Sequence, residues 1–448
     1  MEISFYNTLS RKIEKFETLE KNKVSIYSCG PTVYDSSHIG HARSAIVWDL
    51  LVRFLRYAKY EVLWARNITD IDDKIINRAS ELKIHPEKLA RIESFKFWKD
   101  MYALNISTPD FEPKASENIG IMINFIEALI NKNFAYRTET GDVYFRVSAF
   151  PNYGKLKNLN REKEISRIEH TQNKESDSDF ALWKNFDETS YCFDSPFGKG
   201  RPGWHLECSA MIKKYFGNTI DIHGGGEDLI FPHHENEIAQ SEALNGCPFA
   251  KYWLHNGMIM INGRKMSKSE NNYITINESL EKYSANAIRF FILTAHYRQA
   301  LNYTEEALIS SQNTINKLFK NLKNIDLNNI ENNLNKEILN NFDLAMSNDL
   351  NSPKALAIVF EAIKTNDLKD LNTAFYILKI LGFNLSEDTS NKEFNLDNFE
   401  DLFNLLLDLR KQAKENKNYE LADKIRDSFS KAGFQIKDSK EKSEVIRI

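Results

Sequence analysis

Apolar and polar positions over about the first 300 residues alternate between strand-like and helix-like stretches. Residues 24–29 and 60–69 are rich in β-branched and aromatic side chains, whereas residues 41–58 and 71–82 repeat their apolar positions with a helical period. A helix that connects two strands makes them parallel neighbours, because a parallel pair needs a long crossover connection. The pattern therefore predicts an α/β fold with a Rossmann-like parallel sheet.

The alternation resumes after residue 200. Residues 219–223 and 252–261 predict two more strands, and residues 233–244 predict a helix that begins near Pro232. A further helix is predicted to begin near Gly203. These elements extend the same α/β domain.

Two regions interrupt this pattern. Residues 134–147 predict a hairpin with its turn near Gly141, and residues 161–179 are highly charged and predict a surface excursion. We therefore expect an inserted subdomain at about 105–200. From residue 304 onwards, apolar residues recur at helical spacing, which predicts a helical C-terminal domain.

Composition narrows the classes of function. A net charge of −4 argues against non-specific coating of DNA, although a local basic face could still bind phosphates. Four cysteines are too few for a disulfide framework, so we expect a reducing cytoplasm. The N-terminus has no signal-peptide core and no apolar run reaches about 18 residues, so we expect no membrane span.

The stretch FPHHENEIAQ raises the question of a metal site. His233 and Glu237 are four residues apart on the predicted helix and share a face. The metalloprotease pattern His-Glu-x-x-His fails, because an isoleucine stands where the second histidine belongs. Cys29, at the end of the first predicted strand, and Cys208 could complete a tetrahedral zinc shell. No local spacing shows that the four residues meet. Each cysteine taken singly could be an ordinary buried thiol, and His233 and Glu237 could be an ordinary pair that faces solvent.

The stretch PTVYDSSHIGHARS is a candidate phosphate site. It places His38 and His41 at the start of a predicted helix, beside backbone N–H groups that attract anions. Gly40 would let a ligand approach the backbone closely. A capped helix with exposed histidines is the alternative.

Two loops carry further phosphate candidates. NGRKMSKSENN supplies Lys265 and Lys268, which could meet a polyphosphate as point charges. DIHGGGEDL, residues 221–229, predicts a triple-glycine turn that could approach a nucleotide. The first segment could instead be an ordinary basic loop, and the second could simply make a sharp turn.

HIGH (38–41) and KMSKS (265–269) together resemble the two signatures of class I aminoacyl-tRNA synthetases. Further stretches are similar to the cysteinyl-tRNA synthetase family: SCGPTVYD, NITDIDDKII, DFALWK, GRPGWHLECSAM and HGGGEDLIFPHHENEIAQSEA. The likeness covers nearly the whole chain. Two features depart from the family pattern, since Phe197 stands where tryptophan is usual and the chain ends DSKEKSEVIRI rather than in a Gly-Thr-x-Trp-Arg-like tail.

The resemblance implies an enzyme that activates cysteine with ATP and Mg²⁺ and transfers it from cysteinyl-adenylate to tRNA(Cys). His38 and His41 would bind the nucleotide and stabilise charge at the α-phosphate, and Gly40 would leave room for ATP. Lys265 and Lys268 would neutralise the departing pyrophosphate.

The resemblance also implies one Zn²⁺ per chain, which would select the cysteine thiol because a serine hydroxyl is a harder and weaker zinc ligand. Its ligands would be Cys29, Cys208, His233 and Glu237. Thr69 and Trp204 would line the amino-acid pocket, and Asp228 would face the substrate ammonium group.

By the same resemblance, residues 1–303 would form the catalytic domain, with the KMSKS loop and stem-contact region at about 262–303. Residues 304–448 would form a helical anticodon-binding domain with a small C-terminal extension. We expect a cytoplasmic monomer whose partners are tRNA(Cys), cysteine and ATP.

Three other functions are weighed against this one. A cysteine ligase paralogue that acts on an amino-sugar would share the signatures but would not need the helical tail. A non-catalytic tRNA-binding homologue would not need the intact histidines and lysines of both signatures. A zinc hydrolase is disfavoured by the failed His-Glu-x-x-His match and by two thiolate ligands.

Overall fold

The computed structural model describes residues 1–158, 174–186, 191–266, 272–322, 333–385, 400–416, 418–431, 434–438 and 443–447. Most of the charged stretch 161–179 lies outside these residues, as do Lys268 and the side chain of Lys265. The chain divides into two compact units, Met1–Ser386 and Glu387–Ile448.

The first elements follow the predicted alternation. β1 (Ser4–Asn7) and β2 (Lys12–Lys15) form an antiparallel pair, and β3 (Lys23–Ser28), α1 (Ile39–Tyr57) and β4 (Glu61–Arg66) follow. β3 and β4 are parallel neighbours, so the crossover through α1 is confirmed. α1 is buried almost all round, as expected of a central helix.

The inserted region contains its own sheet. After α2 (Asp73–Glu81), α3 (Pro86–Ala103) and α4 (Ile119–Asn131), four antiparallel strands follow one another in the order of the chain. They are β5 (Ala135–Arg137), β6 (Val143–Phe145), β7 (Phe180–Asn185) and β8 (Gly200–Pro202). The β5–β6 pair is the predicted hairpin, and Gly141 in its turn has a φ of +93°, which favours glycine.

The parallel sheet is completed after the insertion. The elements that follow are α5 (Trp204–Phe216), β9 (Ile220–Gly226), α6 (Glu235–Asn245) and β10 (Ala250–Asn256). The strands β9 and β10 join β3 and β4 in one sheet, in the order β10-β9-β3-β4. The chain therefore adds β4 on one side of β3 and later adds β9 and β10 on the other side. Such a switch point, at the carboxyl ends of the strands, is where open α/β sheets bind ligands.

The glycines of residues 221–229 lie in a strand, and the predicted triple-glycine turn is wrong. They continue β9, which pairs with β10 in the register Gly224 to Leu254. A Cβ atom on Gly224 would lie 1.7 Å from the Leu254 carbonyl oxygen, so the glycine is needed for close strand approach. The turn begins only at Glu227.

The predicted strand over 252–261 is two strands. β10 ends at Asn256, and β11 (Ile259–Ile261) pairs with β12 (Arg264–Lys265) and β13 (Leu301–Tyr303) in a separate sheet. Gly257 makes the break, because its N–H donates to the Tyr297 carbonyl at 2.8 Å, away from the first sheet.

The remaining elements are mostly helical, as predicted. α7 (Ile276–Lys282) and α8 (Ala285–Leu293) precede β13. The later helices of the first unit are α9 (Glu305–Leu322), α10 (Lys336–Ser347), α11 (Ser352–Lys364) and α12 (Leu368–Ile380). They share one hydrophobic core with the parallel sheet. The functional boundary near residue 304 stays a prediction.

The described residues of the second unit form two helices and a hairpin. They are α13 (Glu400–Glu415), α14 (Tyr419–Lys431) and the antiparallel strands β14 (Phe434–Asp438) and β15 (Ser443–Arg447). In the described part of the whole chain, no helix combines the length and apolar character needed to cross a membrane.

Candidate active site and metal centre

Two thiols, an imidazole and a carboxylate meet at the switch point of the parallel sheet. The Sγ atom of Cys29 lies 3.7 Å from the Sγ atom of Cys208 and 3.5 Å from Nε2 of His233. The His233 Nε2 atom lies 3.8 Å from the Cys208 Sγ atom and 2.9 Å from Oε1 of Glu237. All four donor atoms lie within 4.8 Å of one another, so the structure brings together the four residues that the resemblance indicated.

Separate elements carry these four side chains to one place. Cys29 follows β3, where its N–H donates to the Gly224 carbonyl of β9 at 3.0 Å. Cys208 lies on α5, and His233 precedes α6, whose first turn carries Glu237. Gly225 faces the centre, because a Cβ atom there would lie 3.6 Å from the Cys29 side chain. The same Cβ atom would lie only 2.7 Å from Cδ1 of Leu229, so the missing side chain leaves room for that leucine beside the centre.

The separations that involve the sulfur atoms fit a zinc ion. Tetrahedral zinc has bonds of about 2.3 Å to sulfur and about 2.0 Å to nitrogen, which places two sulfurs about 3.8 Å apart and sulfur and nitrogen about 3.5 Å apart. The observed sulfur–sulfur and sulfur–nitrogen distances are close to these values. Two thiols with one histidine are also a donor set that zinc prefers.

Further histidines, buried at His223, His234 and His255 and half-buried at His205, lie around the four donors, and sequence reasoning missed this arrangement. Nδ1 of His205 lies 3.0 Å from Nδ1 of His233, and Nε2 of His223 contacts Oε2 of Glu237. Nε2 of His234 lies 3.3 Å from the Cys29 Sγ atom. Ligands to a metal commonly have such partners, which fix their orientation. The available signal was the concentration of histidines between residues 205 and 255.

These histidines also offer a second combination of ligands. Cys29, His223, His234 and Glu237 are close enough to hold an ion as well. It shares Cys29 and Glu237 with the first combination, so both belong to one centre. His234 is itself held from behind, because its Nδ1 atom lies 2.8 Å from Nε2 of His255.

The protonation of the centre follows from burial and from the close contacts. Burial raises the pKa of Cys208, but hydrogen bonds with Cys29 and His233 outweigh it and bring that pKa to about 7. Burial and the neighbouring Cys208 and Glu237 raise the pKa of Cys29 well above its usual range. Burial would lower the pKa of His233, yet Glu237 and Cys208 raise it to about 10. The centre therefore holds protons that a bound metal would displace.

His205 and His255 are kept neutral by lowered pKa values. Burial, together with the neighbouring His233, lowers the pKa of His205 to about 3. Burial and His223 lower the pKa of His255 to the same value. Neutral imidazoles can accept as well as donate hydrogen bonds, as an outer shell around metal ligands requires.

The three predicted substrate-pocket residues lie at different distances from the centre. The Trp204 ring stacks on His233 with centroids 4.2 Å apart, and it lines a cavity of about 670 Å³ that also touches His205. Thr69 is buried, and its Oγ1 atom donates to Glu207 Oε2 at 2.6 Å. Asp228 is exposed in the turn after β9, and the described residues give it no hydrogen bond to the centre.

The two signature segments are brought together. His38 precedes α1 and stacks on His41 with ring centroids 3.8 Å apart. The N–H of Ile39 donates to the Ile274 carbonyl and the N–H of Ile276 to the Ser37 carbonyl, each at 2.9 Å. The chain just after KMSKS therefore pairs with the chain that contains HIGH.

Gly40 lies at the contact between the two signatures. A Cβ atom there would lie 2.7 Å from Cε of Met266 and 3.0 Å from the His38 ring. The backbone of Lys265 belongs to β12 and pairs with Met260 of β11.

The chain is similar to known proteins over nearly its whole length. Residues 15–313 match the family model described as the tRNA synthetases class I (C) catalytic domain, and residues 341–381 match the DALR domain. The cysteine–tRNA ligase of Francisella philomiragia is 46% identical over 453 residues, covering 97% of this chain and 98% of its own. That of Methanococcus maripaludis is 43% identical over 474 residues, covering 99% of each chain.

A solved structure extends the likeness of fold. Mycobacterium tuberculosis methionyl-tRNA synthetase in complex with methionyl-adenylate has a TM-score of 0.57 at 15% identity, covering 80% of this chain and 89% of its own. At that identity the match concerns the fold alone. Because the class I catalytic model matches more than half of the chain and the curated relatives match nearly all of it, the chain belongs to the cysteine–tRNA ligase family.

Proposed function

We propose that this chain joins cysteine to tRNA(Cys) at the expense of ATP. The cysteine carboxylate attacks the α-phosphorus of ATP, which forms the adenylate and releases pyrophosphate. A terminal ribose hydroxyl of the tRNA then attacks the adenylate carbonyl and releases AMP. The relatives that support this proposal are named cysteine–tRNA ligase, and they match this chain over nearly their full length. The amino-sugar ligase and the non-catalytic homologue are therefore not favoured.

The signature residues would act through charge and position, because adenylate formation depends on stabilising charge at the phosphates. His38 and His41, stacked at the start of α1, would hold the nucleotide and stabilise charge at the α-phosphate. Lys265 and Lys268 would neutralise the pyrophosphate, with Mg²⁺ entering as the ATP complex. Gly40 would leave the backbone open to ATP.

Cys29, Cys208, His233 and Glu237 would hold zinc. When bound, zinc supplies a Lewis acid that lowers the pKa of a thiol and prefers sulfur to a hydroxyl oxygen. The surrounding histidines would hold the ligands in place, as His205 does at His233. Such chemical selection makes separate editing of serine unnecessary.

The substrate cysteine would lie beside this centre. Trp204 would form one wall, because its ring packs on His233 and borders the cavity. Thr69 would be a fixed part of the pocket, held by Glu207 next to Cys208. Asp228 would take the substrate ammonium group, which requires it to approach from its exposed turn.

The observation that carries the proposal is the meeting of four donor atoms, from residues distant in the chain, at the switch point. We also propose that the protein is a cytoplasmic monomer and that its C-terminal helical region reads the anticodon. Four free cysteines agree with a reducing compartment.

The test is exchange of labelled pyrophosphate into ATP on protein of measured zinc content. We expect exchange with cysteine, much less with serine, and a parallel loss of cysteine-dependent exchange and zinc on chelation. Equal exchange with serine and cysteine would contradict zinc-based selection. An absence of exchange with cysteine in zinc-replete protein would contradict the function itself.

A further inference from the structure

Helix α3 presents three aromatic side chains to solvent on one face. Phe95, Trp98 and Tyr102 are 65%, 37% and 80% exposed. Their spacing of three and four residues places them on the same side of the helix. Single exposed aromatic residues are ordinary, but a contiguous exposed patch marks an interaction surface.

The same face is basic. Lys88 and Arg91 stand seven and four residues before Phe95, and Lys99 stands four after it, so all three cations lie on its side of the helix. All three are exposed, whereas Glu93 and Asp100 are buried. Glu87, in the first turn, is the exposed acid of this helix. The face is therefore positive on a chain whose net charge is −4.

One of the three rings is held in place. The Trp98 indole N–H donates to Oε2 of Glu112 at 2.5 Å, and Glu112 is in turn paired with Arg66. Lys114 Nζ lies 5.8 Å from the centroid of the Trp98 ring. A ring that is already fixed loses little conformational freedom when a ligand stacks on it.

We propose that this α3 aromatic face, formed by Lys88, Arg91, Phe95, Trp98, Lys99 and Tyr102, binds the tRNA substrate outside the catalytic site. The inference rests on the proposed function, which supplies an RNA ligand. The cations contact backbone phosphates, and the rings stack on an unpaired base or pack on a ribose. RNA fits better than a protein partner, because lysine is depleted at the centres of protein–protein interfaces whereas aromatic rings flanked by cations suit nucleic acid.

The test compares two double variants with the unaltered protein. Phe95→Ala with Tyr102→Ala removes the rings, and Lys88→Gln with Lys99→Gln removes two cations. The matched control is Lys12→Gln with Ile13→Ala on β2, where Ile13 is 53% exposed and Lys12 is also exposed. Filter binding of a tRNA(Cys) transcript at several salt concentrations gives affinity and salt slope, and pyrophosphate exchange gives tRNA-independent activity.

We expect the ring variant to bind the transcript about tenfold more weakly. The lysine variant should lower the slope of log affinity against log salt by about 1.4 to 1.8, because each of the two lost phosphate contacts contributes about 0.7 to 0.9. Both variants should exchange pyrophosphate normally, and the control should match the unaltered protein in every assay.

Unchanged affinity and slope in both variants would overturn the proposal. Sedimentation velocity of the same variants is measured alongside, and a change confined to sedimentation would also overturn the proposal, because it would assign the face to self-association. Loss of exchange along with binding would also overturn it, because the residues would then serve the fold. The exchange assay contains no tRNA, so exchange by the unaltered protein tests the proposed function separately.

Discussion

Cys29 and Cys208 show how closely single residues are constrained at the centre. Their sulfur atoms lie 3.7 Å apart, which is too far for a disulfide bond of about 2.05 Å and matches the spacing of two ligands around one ion. Each thiol also has a histidine or carboxylate within 4 Å. Removing one donor therefore disturbs the whole set.

We predict that Cys208→Ser lowers both zinc content and cysteine affinity. Oxygen is a weaker zinc donor than a thiolate, so zinc affinity should fall by at least about tenfold and the KM for cysteine should rise with it. Metal analysis and pyrophosphate exchange measure the two effects. The KM for ATP should change far less. Cys247→Ser is the matched control, since Cys247 lies outside the donor set, and equal zinc content in both variants would refute the assignment.

We predict that Lys268→Ala slows adenylate formation by about 100-fold at saturating ATP and cysteine. Loss of one positioned charge in the transition state has about this effect. Zinc content and melting temperature should be unchanged. Lys21→Ala, at an exposed lysine of the N-terminal region, is the control. A normal rate in the Lys268 variant would exclude this residue from the mechanism.

Some residues of the centre could not be predicted from the sequence. The four donors followed from a family resemblance, since no local spacing joins Cys29 to Glu237. The outer histidines have no local spacing that marks them as part of the centre, because His223 and His255 lie on strands and resemble ordinary buried residues. Only the pairing of β3, β9 and β10 reveals that they surround one point.

At the scale of elements, α1 links the HIGH segment to the rest of the first unit. It begins beside the segment that follows KMSKS, and buried Arg43 donates to the carbonyls of Met258 and Tyr297. Those carbonyls belong to the segments that lead into β11 and β13, which are parallel neighbours. A change at the start of α1 should therefore affect the position of the KMSKS segment.

We predict that Gly40→Ala lowers kcat/KM for ATP by about tenfold, because the added methyl group displaces Met266 and the His38 ring. Pyrophosphate exchange and thermal melting measure activity and stability. Gly120→Ala is the matched control, since a Cβ atom on that α4 glycine meets nothing within 4 Å. The control should retain activity and gain about 0.5 kcal/mol of stability. Full activity in the Gly40 variant would contradict the described contact.

The elements were predicted well where hydrophobic periodicity was long. α1 and the strands on either side of it were found within a few residues. The predicted single strand over 252–261 missed the break at Gly257, because an apolar run does not show which sheet each half joins. The glycines of β9 were assigned to a turn, because the close approach of Leu254 is a tertiary contact.

At the scale of the whole molecule, the helices after residue 304 are part of the first core. Arg289 of α8 pairs with Asp49 of α1 at 2.8 Å and donates to the Leu381 carbonyl after α12 at 3.2 Å. Tyr57 of α1 donates to Asp343 of α10 at 2.8 Å. A sequence pattern that changes from α/β to helical therefore marks a change of architecture within one compact unit.

We predict that a chain ending at Ser386 folds and exchanges pyrophosphate with cysteine, whereas a chain ending at 304 aggregates. The shorter chain exposes the core surface that α9 to α12 cover, and large exposed apolar surfaces promote association. Size-exclusion chromatography and the exchange assay distinguish the two. Charging of tRNA by the Ser386 chain should be impaired. A folded, active chain ending at 304 would contradict the shared core.

The four donor atoms come from positions 29, 208, 233 and 237, and this spread sets an order of events during translation. When the ribosome has released β3, the only donor available is Cys29. The pairing of β3 with β9 cannot form until nearly 200 further residues have emerged, and such distant contacts form slowly. The four donors therefore meet late, after the residues of the inserted sheet have been synthesised. Any ion that needs all four donors would be captured only by a polypeptide that is more than half synthesised.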